Sequence, residues 1–162
     1  MRLLGLSNAS WPGRAKARST CPAWRDSLAT GHADIDDDHR QLIELLAESW
    51  CALADAALPK VEARRRIEAL HAFARQHFEF EEQLLDHPGM DVGHRDRHIK
   101  AHQRFLETVQ GVLDMIDNLP PDVCAHFMDF LSSWLVHHIR ETDQELARQC
   151  HQLGLSPNEP AR

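Results

Sequence analysis

The chain has 162 residues, 43% apolar and 27% charged, which suits one compact domain and makes a two-domain enzyme a poor expectation. Its apolar runs are only a few residues long, far short of the ~20 needed to cross a bilayer, so no membrane span is expected. Twenty-five acidic against eighteen basic side chains give a formal charge of -7, which repels a phosphate backbone and argues against nucleic acid as a partner.

Residues 1–23 mix Ser, Arg, Ala, Gly and Pro without a repeating apolar face, and read as a flexible N-terminal extension. Trp24 and Leu28 are the first apolar anchors, and Thr30 to Asp34 reads as a turn into a helix. That helix is expected from about Asp34 to Ala57, with Ile35, His39, Leu42, Ile43, Leu46 and Trp50 on one face. A second helix begins near Pro59 and carries Ile67, Leu70, Phe73, Ala74, His77, Phe78, Glu81, Leu84 and Leu85 to about Asp86, where His87-Pro88-Gly89 breaks it. The third starts between Asp91 and His98, and its stripe is His98, His102, Phe105, Leu106, Val109, Leu113 and Ile116. Pro120-Pro121 ends it. The fourth is expected as one helix from about Asp122 to His151, aligning Phe127, Leu131, Trp134, Leu135, His138, Ile139 and Leu146 before Gly154. Four amphipathic helices with short connections pack most simply as an all-α, up-down-up-down four-helix bundle over residues 24–153, with a C-terminal tail at 154–162.

Histidine, at twelve copies, stands out, and every helix carries at least one on its own apolar face. These are His39, His77, the pair His98 and His102, and His138. A lone imidazole on such a face is more often a satisfied core group than a ligand. Five unpaired ones would cost on the order of 5–15 kcal/mol, which is the whole stability of a typical domain. Carboxylates are at hand, since Glu81 is one turn from His77. A transition-metal centre satisfies both kinds of group together. Imidazole nitrogens argue against magnesium or calcium, and the scattered Cys21, Cys51, Cys124 and Cys150 match no zinc or redox motif and read as free thiols. Two ions sharing carboxylates fit so many ligands better than one. The ferritin-like pattern does not fit, because Glu-x-x-His occurs only at Glu68 to His71, turned away from His77.

A further set of residues is more specific. Trp24, Leu28, Gly31, Ile35-Asp36 and His39, then His77-Phe78 with Glu81-Glu82, then His98-x-x-x-His102 with Phe105, then Trp134-Leu135-x-x-His138-Ile139 and Asp143, together resemble the bacterial hemerythrins from about Trp24 to His151. The resemblance implies two iron ions joined by an oxo or hydroxo bridge. By position, His98, His102 and His138 would hold one iron, His39 and His77 the other, and Glu81 and Asp143 would bridge them. It also implies reversible binding of dioxygen at an open position on the two-histidine iron, with Leu135 in the apolar wall beside it. Spacing alone supports Asp143 poorly, because five residues along an α-helix turn about 140° away from His138.

His94, His98 and His102 recur at four-residue steps, so His94 and His98 form an alternative pair one turn away; Phe105, three after His102, favours His98 and His102. On that reading His94 is an entry-side or solvent histidine. His32, His71, His87, His126, His137 and His151 read as surface groups, and Asp34, Asp36, Asp37 and Asp38 as acids at a helix start. Trp50 and Trp134 read as core. No substrate cleft or proton-donating acid is legible, so oxygen carriage, storage or sensing is expected rather than an enzyme. The alternatives are oxidase, peroxidase or nitric-oxide chemistry on the same centre, and a plain bundle whose histidines are satisfied by carboxylates and water. With no secretory signal legible, the expectation is a cytoplasmic protein, and a sensing role would need a separate redox or signalling partner protein.

Overall fold

The computed structural model describes residues 22–54 and 58–155. Residues 1–21 of the expected extension, with Cys21, the end of the first helix at Ala57, and residues 156–162 lie outside the described residues. The elements are α1 (Ala33–Ala54), α2 (Lys60–Leu85), α3 (Val92–Met115), α4 (Pro121–His138) and α5 (Gln144–Leu153). Short 3-10 turns occupy Asp26–Leu28 and Ile116–Asn118, and a π turn, Ile139–Asp143, joins α4 to α5 in one continuous rod. This is the expected all-α bundle: α1 packs on α2 and α4, α2 packs on α3, and Phe105 of α3 meets Trp134 of α4 with ring centroids 4.5 Å apart.

The helix ends follow from local chemistry. Gly31 takes φ +86°, a left-handed conformation that favours glycine. The turn it makes lets the Asp36 carboxylate accept from Thr30 N–H at 2.7 Å, Thr30 Oγ–H at 2.8 Å and Gly31 N–H at 3.1 Å. Asp36 is therefore more than an acid at a helix start, since it ties the entering arm onto α1. Asp91 caps α3 by accepting from His94 N–H at 2.6 Å. Gly154, at φ +69°, closes α5 with the paired backbone bonds of a left-handed helix stop. Before α1, Leu28 is buried and Trp24 packs against the core, with the Arg40 guanidinium 4.5 Å above its ring.

Two apolar clusters fill the interior. The larger includes Leu42, Leu46, Ile67, Leu70, Phe78, Phe105, Val109, Leu113, Leu131, Leu135 and Ile139. The smaller joins Ile35, Leu85, Met90, Leu146 and Cys150 near the other end. Along every helix the inward histidines and carboxylates fall between these clusters, near the start of α1, the end of α2, the start of α3 and the end of α4. Alternating starts and ends at one level are what an up-down-up-down bundle requires. Trp50 and Trp134 pack against the larger cluster as expected, and Cys124 and Cys150 are buried free thiols.

One expectation fails. The fourth helix is not a single α-helix to His151, because residues 139–143 are wound as a π turn in which Gln144 N–H bonds to Ile139 O, five residues back. Residues 139–143 hold neither glycine nor proline, and no local signal marks this change in hydrogen-bond register.

Candidate metal centre

His39, His77, Glu81, His98, His102, His138 and Asp143 all lie at the polar level between the two clusters, and none is more than 4% exposed. The geometry divides them. Glu81 Oε2 is 3.3 Å from His98 Nε2 and 3.2 Å from His102 Nε2, whereas Glu81 Oε1 faces His77 Nε2 at 3.6 Å. Asp143 Oδ1 is 3.1 Å from both His98 Nε2 and His138 Nε2, while Asp143 Oδ2 is 3.0 Å from His39 Nε2. Glu81 thus turns one oxygen to His98 and His102 and the other to His77, while Asp143 turns one to His98 and His138 and the other to His39.

The π turn makes this arrangement possible. A π helix has roughly four and a half residues per turn, so the fifth residue onward returns within about 50° of its starting face. Asp143 is consequently delivered to the same interior as His138, where regular α-helix would have swung it well aside. Beyond the turn, Leu146 and Cys150 remain in register with the smaller apolar cluster.

The atoms converge without satisfying one another. Both oxygens of Glu81, both oxygens of Asp143, both ring nitrogens of His39 and His98, and His77 Nε2 are buried and lack any partner in hydrogen-bonding geometry. His102 Nε2 and His138 Nε2 sit 3.1 Å apart, where only one of the two can supply a proton. At about 1–3 kcal/mol for each unsatisfied buried group, the four carboxylate oxygens alone would cost on the order of 4–12 kcal/mol. A cation at each focus removes that cost. Donor atoms about 2.1 Å from a metal and at right angles to one another lie about 3.0 Å apart, close to the spacings observed. Among the described residues the groups Glu81, His98, His102, His138, Asp143 and His39, His77, Glu81 each offer ligand-type atoms within 4.8 Å of one another.

Electrostatics favour the same use. Burial pushes Glu81 and Asp143 toward the neutral acid, and the charge of Glu81 adds to this at Asp143, yet the histidines outweigh it and hold both well below the usual carboxylate range. Burial lowers the basicity of His98 and His77 too, but the facing carboxylates reverse it, raising His77 and lifting His98 to about 9. Burial, reinforced by His102 and His98, pushes His138 down to about 4. Two ionised carboxylates held inside a protein call for cations, either protons on histidine or metal ions.

A match to the Hemerythrin HHE cation binding domain spans residues 30–150. The chain belongs to the hemerythrin family. Similar proteins include a bacteriohemerythrin of Stenotrophomonas maltophilia, 29% identical over 126 residues that make up 78% of this chain and 79% of the relative. A bacteriohemerythrin of Pseudomonas aeruginosa is 32% identical over 122 residues, 74% of this chain and 75% of its own. A myohemerythrin of Sipunculus nudus is 26% identical over 120 residues, 74% of this chain and 86% of its own.

Within this hemerythrin bundle the alternative pairing of His94 with His98 is not what the structure brings together. His102 joins the cluster and His94 stays outside it, its ring centroid 5.3 Å from that of His98. His94 is nevertheless buried, with Nε2 unpartnered, so it is not a solvent histidine. His32 is a second correction: expected on the surface, it is 2% exposed, its two ring nitrogens have no partner, and its ring meets Phe80 edge-on. The packing of the arm under α2 buries it, which no local pattern announces. His71, His87, His126, His137 and His151 are at least partly exposed.

Several contacts have no clear sign in the sequence. Asp38, read as one acid of a helix start, places Oδ2 3.2 Å from His77 Nδ1, and Glu82 places Oε1 3.2 Å from His102 Nδ1. Phe78 stacks on His102 at 3.8 Å and Trp134 on His138 at 4.4 Å, fixing those rings in plane. Leu135 is 4% exposed and lines a cleft of about 600 Å³ with Leu28, Ile43 and Leu46, between the arm, α1 and α4. No helix among the described residues is long and apolar enough to cross a membrane.

Proposed function

We propose that this protein is a non-haem di-iron protein that binds dioxygen reversibly, for carriage, storage or sensing, with the bundle at residues 24–153 as its functional unit. The observation that carries the reading is the division of the two carboxylates: Glu81 gives one oxygen to His98 and His102 and the other to His77, and Asp143 gives one to His98 and His138 and the other to His39. Carboxylates shared in this way are suited to bridging two ions. His98, His102 and His138 would hold one iron and His39 and His77 the other. By ligand count the second iron would have one protein donor fewer, which would leave room there for an added ligand. When bound, the iron pair supplies the electrons that make dioxygen binding at that position favourable and reversible.

The chain's own residues do the rest. Glu81 and Asp143, ionised and buried, would supply two negative charges to balance the bound ions. Phe78 and Trp134 hold His102 and His138 in orientation by stacking. Leu135, one turn before His138, would exclude water from the ligand position, where water promotes irreversible oxidation. The relatives' names, bacteriohemerythrin and myohemerythrin, support the same use.

The test is metal analysis of protein produced with added iron, with visible spectra of one sample reduced, aerated and then deoxygenated. Two irons per chain and a visible band that comes and goes with oxygen are expected. Absence of iron, or a band that does not reverse, refutes the reading; turnover with an electron donor instead moves it to an oxidase or peroxidase.

A further inference from the structure

The outer ring nitrogens of the five histidines are not treated alike. Nδ1 of His77 lies 3.2 Å from Asp38 Oδ2, and Nδ1 of His102 lies 3.2 Å from Glu82 Oε1, whereas Nδ1 of His39 and of His98 is buried without a partner. Asp38 and Glu82 are 34% and 35% exposed, while the rings they touch are 1% exposed. Each carboxylate therefore reaches from the water edge inward to one buried imidazole. The two imidazoles belong to different groups, His77 to the pair with His39, and His102 to the trio with His98 and His138.

We infer that Asp38 and Glu82 are positioning residues, one for each metal ion, which hold His77 and His102 in the tautomer that can bind metal. The inference rests on the di-iron reading above. A neutral imidazole carries one proton, and the nitrogen that carries it cannot be a ligand. At both rings a buried, unsatisfied carboxylate oxygen stands near the inner nitrogen and competes for that proton: Glu81 Oε1 is 3.6 Å from His77 Nε2, and Glu81 Oε2 is 3.2 Å from His102 Nε2. Without an outer acceptor, the tautomer protonated on Nε2 and directed at Glu81 is favoured in the metal-free protein. That tautomer blocks the ligand atom. Asp38 and Glu82 pull the proton to Nδ1, free the Nε2 lone pair, and make it more basic toward a cation. Since each acts through a single ring, each acts on a single ion.

Their effects on the two ions are therefore separable. Protein loaded with ferrous iron without air is stripped by increasing amounts of a ferrous chelator, and the iron retained is counted at each step. The unaltered protein is expected to lose its ions in two steps, the two-histidine ion first, because it has fewer donors. Asp38→Ala should weaken the first step by roughly 10–100-fold and leave the second in place, so the steps move apart. Glu82→Ala should weaken the second by a similar factor, so the steps draw together. Asp38→Asn and Glu82→Gln keep an acceptor oxygen and should recover most of each loss, which general damage to the fold would not permit. Variants that shift both steps equally, shift neither, or gain nothing from the amide overturn the inference. Unaltered protein that takes up fewer than two irons overturns the di-iron reading instead, so the two failures are distinguishable.

Discussion

Metal-free and iron-loaded protein should respond to pH in opposite directions between pH 6.5 and 8. In the metal-free protein the carboxylates of Asp143 and Glu81 outweigh the effect of burial and lift His98 to about 9, from an ordinary value of 6.5. A raised value means that stability is fully present below the unfolded pKa and is lost as pH rises through the folded one. Over this window His98 alone removes roughly 1–2 kcal/mol of stability, with His77, also raised, acting in the same direction. His138, pushed down to about 4 by burial, opposes with less than about 1 kcal/mol, because only its unfolded form gives up a proton there. The net expectation is a loss of about 1 kcal/mol or more, read by urea unfolding of metal-free protein at the two pH values. Iron must displace the same His98 proton, so apparent affinity should rise about 30-fold over the same interval, read by competition with a chelator without air. Metal-free protein that grows more stable from pH 6.5 to 8, or iron affinity indifferent to pH, refutes the electrostatic picture of the centre.

Other expectations are simpler to test. His77→Ala and His138→Ala should each lower bound iron and melting temperature together, since ligand binding stabilises only the folded chain; full iron content in both variants would remove these residues from the centre. Leu135→Ala should cost about 2–5 kcal/mol by leaving a cavity at a buried position and, with iron still bound, should hasten loss of the oxygenated form; an unchanged decay rate would remove Leu135 from the oxygen-binding wall. His32→Leu should stabilise the protein by about 1–3 kcal/mol, because it deletes two buried nitrogens that have no partner at the cost of little packing. Destabilisation measured by urea would instead reveal that His32 is satisfied.

Much of the bundle and the residues gathered at its centre are legible in the linear chain because they obey helical periodicity. Ile35, His39, Leu42, Ile43 and Leu46 share a face for the same geometric reason that Phe73, His77, Phe78 and Glu81 do. The loop boundaries at Pro59, at His87 to Gly89 and at Pro120-Pro121 are equally local, because proline and glycine restrict the backbone wherever they stand. Excess histidine on apolar faces is also readable, since an unsatisfied buried imidazole is too costly to leave unexplained.

Local periodicity thus specifies the helices, their apolar faces, and the imidazoles and carboxylates carried on those faces. The remaining features arise from packing between helices. The π turn at Ile139–Asp143 changes which residues share a face, so Asp143 reaches His39 and His98 although α-helical counting turns it away. The choice of His102 over His94 depends on how far α3 slides along α2, which a repeat of four residues cannot specify. Burial of His32 depends on where the arm crosses the bundle, and the contacts of Asp38 with His77 and Glu82 with His102 join residues on separate helices. Periodicity fixes direction around one helix axis. Register between helices, and any departure from α geometry, is set by packing and by the charges enclosed in it.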